Sequence, residues 1–246
     1  MRTLLLLLCA AALYGQPNVA AARTDANSLA VHQQLLEKAD KGGIDIYFEG
    51  DSITRRWGAT DYPELLANWR KNFFGWNAAD FGWGADRVEN ILWRLENGEL
   101  DGVNPKVIVL QAGTNNLGSS TPEEIFSGLK AVVELMKAKA PGAVIVVTGI
   151  FPRNDNMALL PAIQSINADL SVLEGVRYLD INSKLADRQG RLFEGTMNSD
   201  KLHPALPGYQ VWADALKGIF TELLGAPAAS DHAPPATGDP SKSTSR

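Results

Sequence analysis

Gly50-Asp51-Ser52-Ile53 sets a serine on the loop just beyond the apolar run Ile44 to Glu49, and Asp200-Lys201-Leu202-His203-Pro204 sets a carboxylate three residues before an imidazole. Serine is a poor nucleophile until a base takes its proton during attack, and histidine is the side chain best suited to that near neutral pH. The chain has three histidines. His232 lies in a Pro/Ala/Ser-rich end and His32 lies ahead of the first apolar run, so if the protein is a serine hydrolase, His203 is its base. Asp200 would then accept a hydrogen bond from the other ring nitrogen and fix the tautomer. Two further segments supply donors. Gln111-Ala112-Gly113-Thr114-Asn115-Asn116 brings the Asn115 amide to a strand end, and Phe81-Gly82-Trp83-Gly84-Ala85-Asp86 is a tight turn whose backbone N–H groups, near Gly84 and Ala85, can face an anion. Such donors hold a tetrahedral oxyanion and each contributes about 10²–10³ in rate. Each fragment alone is an ordinary turn or cap signal. Their conjunction at strand ends is what points to acyl transfer. Gly82 and Gly84 lack the third glycine of a dinucleotide fingerprint and follow the second strand rather than the first.

The elements that must position these residues alternate along the chain. Short apolar runs fall at Ile44 to Glu49, Ala78 to Phe81, Val107 to Gln111, Val144 to Thr148 and Tyr178 to Ile181, separated by longer amphipathic stretches at Tyr62 to Phe74, Arg87 to Leu95, Glu123 to Lys139, Met157 to Leu173 and Tyr209 to Leu224. VIVLQ and VIVVT are nearly continuous β-branched runs, as in strands covered on both faces, and Glu123 to Lys139 has a helical period with Thr121 and Pro122 at its start. Strand then helix, five times over, implies an α/β, doubly wound parallel sheet with right-handed crossovers. Functional residues in such sheets gather at the carboxyl ends of strands, near the point where strand order reverses.

Composition narrows the partners. The 246 residues are 45% apolar with a formal charge of -5 and no basic block, which argues against a grip on nucleic acid or anionic lipid. The only cysteine, Cys9, precedes the folded part, so no thiolate nucleophile, disulfide or thiolate metal site is expected there. Arg2, the apolar stretch Leu4 to Leu13 and Ala20-Ala21-Ala22 have the layout of a signal peptide over residues 1–22, with cleavage near Ala22 and a secreted or periplasmic product. The apolar stretch is short of the roughly 20 residues of a membrane span, and lipidation at Cys9 is disfavoured by the bulky Leu8 before it. Residues 226–246 lack apolar periodicity and read as a disordered tail, leaving one domain over residues 28–225.

Taken together, GDSI at Gly50 to Ile53, the turn at Gly82 to Asp86, GTNN at Gly113 to Asn116 and DKLHP at Asp200 to Pro204 resemble the four blocks of the SGNH, or GDSL-type, hydrolases. Ile91 to Asn116 and Gly149 to Arg153 are further similar to the catalytic subunits of intracellular platelet-activating-factor acetylhydrolase, a branch of that family. The resemblance implies a flavodoxin-like three-layer α/β/α sandwich with a five-stranded parallel sheet, ester hydrolysis through an acyl-serine, and no metal or other cofactor. It further implies Ser52 as nucleophile, His203 as base, Asp200 as its partner, and the Ser52 N–H, the Ala85 N–H and the Asn115 side chain as the oxyanion hole. This chain has Ala85 where relatives usually have glycine, and Asp80 where many have asparagine. Alanine serves only if its backbone dihedrals are not of the glycine-only kind.

Asp51 reads as a turn residue rather than a second catalytic acid. Trp83 and Arg153 are candidates to touch substrate, and Trp57 and Trp76 could share a cleft wall, although tryptophan is more often core. The leading expectation is a secreted serine esterase that releases short acyl groups, acetyl first, from a polysaccharide or small ester. A lipid-ester hydrolase is the alternative. A non-catalytic carbohydrate-binding module would not need all of Ser52, Asn115, Asp200 and His203, and a phosphate-binding protein would not place the Asp51 carboxylate in its loop. A homodimer is left open.

Overall fold

In a computed structural model that describes residues 15–242, the strands β1 (Ile46–Gly50), β2 (Ala78–Asp80), β3 (Val107–Gln111), β4 (Val144–Thr148) and β5 (Arg177–Leu179) pair in the order β2-β1-β3-β4-β5, all parallel. The sheet is built from the apolar runs for a simple reason. Alternate residues must be apolar on both faces when helices cover both. Ile46 and Phe48 of β1 and Val107 and Val109 of β3 enter one core, while Tyr47, Ile108 and Leu110 enter the other.

Helices α1 (Ala26–Lys41), α4 (Val88–Arg94), α5 (Pro122–Lys139) and α6 (Leu160–Ser171) cover the second core. Helices α2 (Ser52–Gly58), α3 (Pro63–Phe73) and α8 (Leu206–Leu224) cover the first, where Trp57, Trp69, Phe73, Trp212 and Phe220 pack around Phe48. A short α7 (Asn182–Leu185) follows β5. The expected α/β fold with five parallel strands is therefore the observed one. Strand order reverses between β1 and β3, where Gly50 pairs with Gln111, so the loops after these two strands open beside each other at the carboxyl edge.

Two elements differ from the sequence reading. Ser52 was expected on a loop but opens α2, because the Asp51 side chain accepts from the Ile53 N–H at 2.9 Å and caps the helix. The described part of the expected disordered tail, up to Lys242, lies extended against the body. There Asp231 accepts from the Gly75 N–H at 2.7 Å, Thr237 C=O from the Thr60 N–H at 3.1 Å, and Asp239 from Asn27 at 3.0 Å. Composition reports that a segment lacks periodicity, but not whether another segment offers it partners. At the other end, residues 1–14 of the expected signal peptide lie outside the described residues. Pro17 is buried and the Ala21 N–H donates to Glu89 C=O at 3.0 Å, so the expected cleavage point falls within a packed segment. Among the described residues no helix is long and apolar enough to cross a membrane.

Candidate active site

The loops after β1 and β3 and the segment before α8 meet at the carboxyl edge. His203 Nε2 stands 2.8 Å from Ser52 Oγ, and His203 Nδ1 stands 2.8 Å from Asp200 Oδ2. A carboxylate only accepts, so Nδ1 carries the proton and Nε2 is free to accept from the serine hydroxyl. The motif spacing explains the geometry. Asp200 Oδ1 accepts from the backbone N–H of Leu202 at 3.0 Å and of His203 at 2.9 Å, so the acid curls its own loop and holds the imidazole over its second oxygen. Burial pushes the Asp200 carboxyl up, but the bonds from the His203 and Leu202 N–H groups and the imidazole outweigh it and bring it down to about 2. Burial pulls His203 below the ordinary 6.5, with Arg56 and Arg153 adding to the effect and Asp200 opposing it. At neutral pH the ring is a free base.

The donor side is built from three segments. The Ser52 and Ala85 N–H groups have no hydrogen-bond partner among the described residues. Asn115 Nδ2 spends one hydrogen on Asp86 C=O at 2.8 Å, which ties the β3 loop to the Gly82–Asp86 turn and leaves the second hydrogen free. Arg87 donates to Asn115 C=O at 2.9 Å, and Asn116 bridges the Val88 N–H and the Glu89 carboxylate at 3.0 and 2.8 Å. Gly82 must be glycine, since a Cβ there would meet the Arg55 backbone nitrogen at 2.6 Å.

Ala85 is the departure that matters. Its φ is +63°, in the left-handed region that glycine favours and an L residue enters at a cost of about 1–2 kcal/mol. That conformation is accessible to alanine, so its N–H is available, but the turn must hold it there. Asp80 supplies part of that support. Its carboxylate accepts from the N–H groups of Gly82 at 2.7 Å and Gly58 at 3.1 Å, while buried Lys38 donates to its backbone carbonyl at 2.6 Å. Burial pushes Asp80 up to about 6 and Lys38 down to about 8, each restrained by the other's charge.

Beneath the turn lies a polar cluster that sequence reasoning missed. Buried Arg94 donates to the Asp86 carboxylate at 2.7 Å, the Glu49 carboxylate at 2.6 Å and Phe81 C=O at 2.9 Å, and it also pairs with Glu99. Glu99 in turn meets His32 at 2.7 Å. Burial holds the Glu49 carboxyl above its usual range against the pull of Arg94. Nothing in the sequence marks it, since Arg94 shares its helical face with Arg87, Asn90 and Asn97.

The remaining candidates are held by partners outside the Ser52–His203–Asp200 chain. Trp83 is 7% exposed, hydrogen-bonds Ser28 at 3.3 Å and stacks under Arg55, so it belongs to the core rather than a cleft wall. Trp57 and Trp76 are core as well, bonded to Asn68 and to Gly225 C=O. Arg153 is committed to Thr114, with bonds of 3.1 and 3.0 Å to its carbonyl and hydroxyl, and to Asp155 at 2.5 Å. Asp51 is fully buried, with burial pushing its carboxyl up to about 7, and it caps α2. Arg56, which was not singled out, reaches Asp200 at 3.4 Å.

Residues 48–211 match the GDSL-like Lipase/Acylhydrolase family. The chain is 34% identical over 185 residues to platelet-activating factor acetylhydrolase IB subunit alpha2 of Rattus norvegicus, covering 73% of this chain and 77% of the relative. It is 30% identical over 205 residues to subunit alpha1 of Homo sapiens, covering 81% and 85%. The fold of a GDSL-like lipase from Bacteroides thetaiotaomicron superposes with a TM-score of 0.62 at 17% identity, over 79% of this chain and 98% of that one. With blocks, fold and relatives in agreement, the chain belongs to the GDSL-like lipase/acylhydrolase family and is a carboxylic ester hydrolase.

Proposed function

We propose that the protein is a secreted serine esterase that removes short acyl groups, acetyl first, from a carbohydrate or other small ester. The observation that carries the mechanism is the continuous chain from Ser52 Oγ through His203 to Asp200, with each link at 2.8 Å. Ser52 attacks the ester carbonyl as His203 Nε2 takes its proton. The developing oxyanion is held by the N–H groups of Ser52 and Ala85 and the free hydrogen of Asn115. Collapse expels the alcohol, protonated by His203, and leaves an acyl-Ser52. Water, deprotonated by His203, then releases the acid and restores the serine.

Acetyl as the acyl group is supported by the relatives, whose names state acetylhydrolase activity. Export is supported by the leader pattern from Arg2 to Ala22. Those same names favour a second reading, a lipid ester of the platelet-activating-factor type. Hydrolysis of p-nitrophenyl esters from acetate to long chains separates the two. Turnover that falls with chain length, and that drops about 10⁴-fold or more in Ser52→Ala, supports the short-acyl esterase. Activity peaking on long chains favours the lipid, and equal rates in wild type and Ser52→Ala would remove the serine mechanism.

A further inference from the structure

We propose that Arg23 is a positioning residue for the oxyanion hole. It grips the peptide between Gly84 and Ala85 so that the Ala85 N–H stays presented to the reacting carbonyl. The inference rests on the esterase mechanism above and adds a residue that lies outside the four family blocks and outside the matched residues 48–211.

The argument starts from one planar unit. Gly84 C=O and Ala85 N–H belong to the same trans peptide and point in opposite directions, so whatever fixes one fixes the other. Arg23 Nη1 donates to Gly84 C=O at 2.5 Å and to the Asp86 carboxylate at 3.2 Å. It therefore holds the residues on either side of Ala85. That residue is exposed, its N–H has no partner among the described residues, and its φ of +63° is one that alanine leaves unless held. A glycine at this position would need the clamp far less.

Arg23 is itself placed by the residue two positions after it: Asp25 pairs with Arg23 Nε at 3.3 Å and caps α1 through the Ser28 N–H. The Asp86 carboxylate that Arg23 shares is held from the buried side by Arg94 at 2.7 Å. The turn is thus pinned from inside by Arg94 and from outside by Arg23.

The test uses the full chain and p-nitrophenyl acetate. Arg23→Ala should lower kcat about 10–100-fold with KM changed less than about twofold, since an oxyanion donor acts on the transition state rather than on bound ester. Arg23→Lys, which keeps the charge beside Asp86 but loses the Nε contact to Asp25 that orients the side chain, should fall between wild type and Arg23→Ala. Guanidinium ion should restore part of the Arg23→Ala activity. In an Ala85→Gly background the Arg23→Ala penalty should shrink to less than about threefold, because glycine holds a positive φ unaided. A merely structural role predicts an equal penalty in both backgrounds and no guanidinium rescue, and that result overturns the proposal. So does an Arg23→Ala kcat within twofold of wild type while Ser52→Ala is dead. If Ser52→Ala is as active as wild type, the esterase mechanism fails first and the role of Arg23 goes with it.

Discussion

His203 sits between one acid and two cations, and that arrangement sets how rate should respond to pH. Burial comes first among the causes that lower its pKa from 6.5, followed in the same direction by Arg56 and Arg153. A general base works only when neutral, so kcat/KM should rise with pH through a limb centred below 6.5 and then stay level across neutral pH. Replacing Arg56 with glutamine removes a nearby cation and also frees Asp200 from a competing partner at 3.4 Å. Both changes favour the imidazolium, so the acid limb should move to higher pH, as read from paired pH–rate profiles. Asn115→Ala should lower kcat about 10²–10³-fold with little change in KM, as steady-state kinetics on one short ester would measure. A large rise in KM instead would place Asn115 on the ground-state ester.

At the scale of elements, the site depends on how the turn before α4 is held to the sheet. Arg94 of α4 faces the carboxylates of Glu49 at the end of β1, Asp86 in the turn and Glu99 beyond the helix, all of them buried. Removing one partner of a buried ionic cluster leaves charge without compensation and costs about 3–5 kcal/mol. Arg94→Met should therefore lower stability by that amount in urea unfolding, whereas Arg177→Met at the half-buried edge of the sheet, which loses its solvent-facing pair with Glu222, should stay within about 1 kcal/mol of wild type. The cluster also explains why the oxyanion turn tolerates an alanine at a positive φ. A segment pinned by ionic hydrogen bonds on both sides of one residue can hold that residue in a costly conformation.

Across the whole molecule, both ends of the described chain lie on the body rather than away from it. Residues 226–242 follow the surface near α3, with Ala236 packed on the aromatic core and Trp76 donating to Gly225 C=O at 3.0 Å. None of these contacts reaches Ser52 or His203. Ending the chain after Gly225 should lower stability by about 1–3 kcal/mol, the net of several hydrogen bonds less the entropy of ordering the strap. It should leave kcat on short esters unchanged at a temperature where both forms are folded, as a thermal melt and an assay on the same sample would show. Loss of activity without unfolding would mean that the strap reaches the site.

The residues that do chemistry were legible because each reaction role admits few side chains. With three histidines and only one of them in a motif, Ser52, Asp200, His203 and Asn115 could be picked out by type and by their place at strand ends. The sheet was legible for a similar reason: strands covered on both faces must be apolar throughout, and VIVLQ and VIVVT are. The helix opened by Ser52 was not, because seven residues carry too little periodicity and its cap is a single contact from Asp51. Neither were Arg94 and Arg23, since a buried or shared charge is defined by partners that lie far apart in sequence. The places of Trp83 and of the strap after Gly225 escaped the sequence on the same ground. Sequence by itself determined which groups could react and which runs must be buried. Tertiary structure alone decided what holds Ala85 in place, because hydrogen bonds between distant segments leave no periodic trace in the chain.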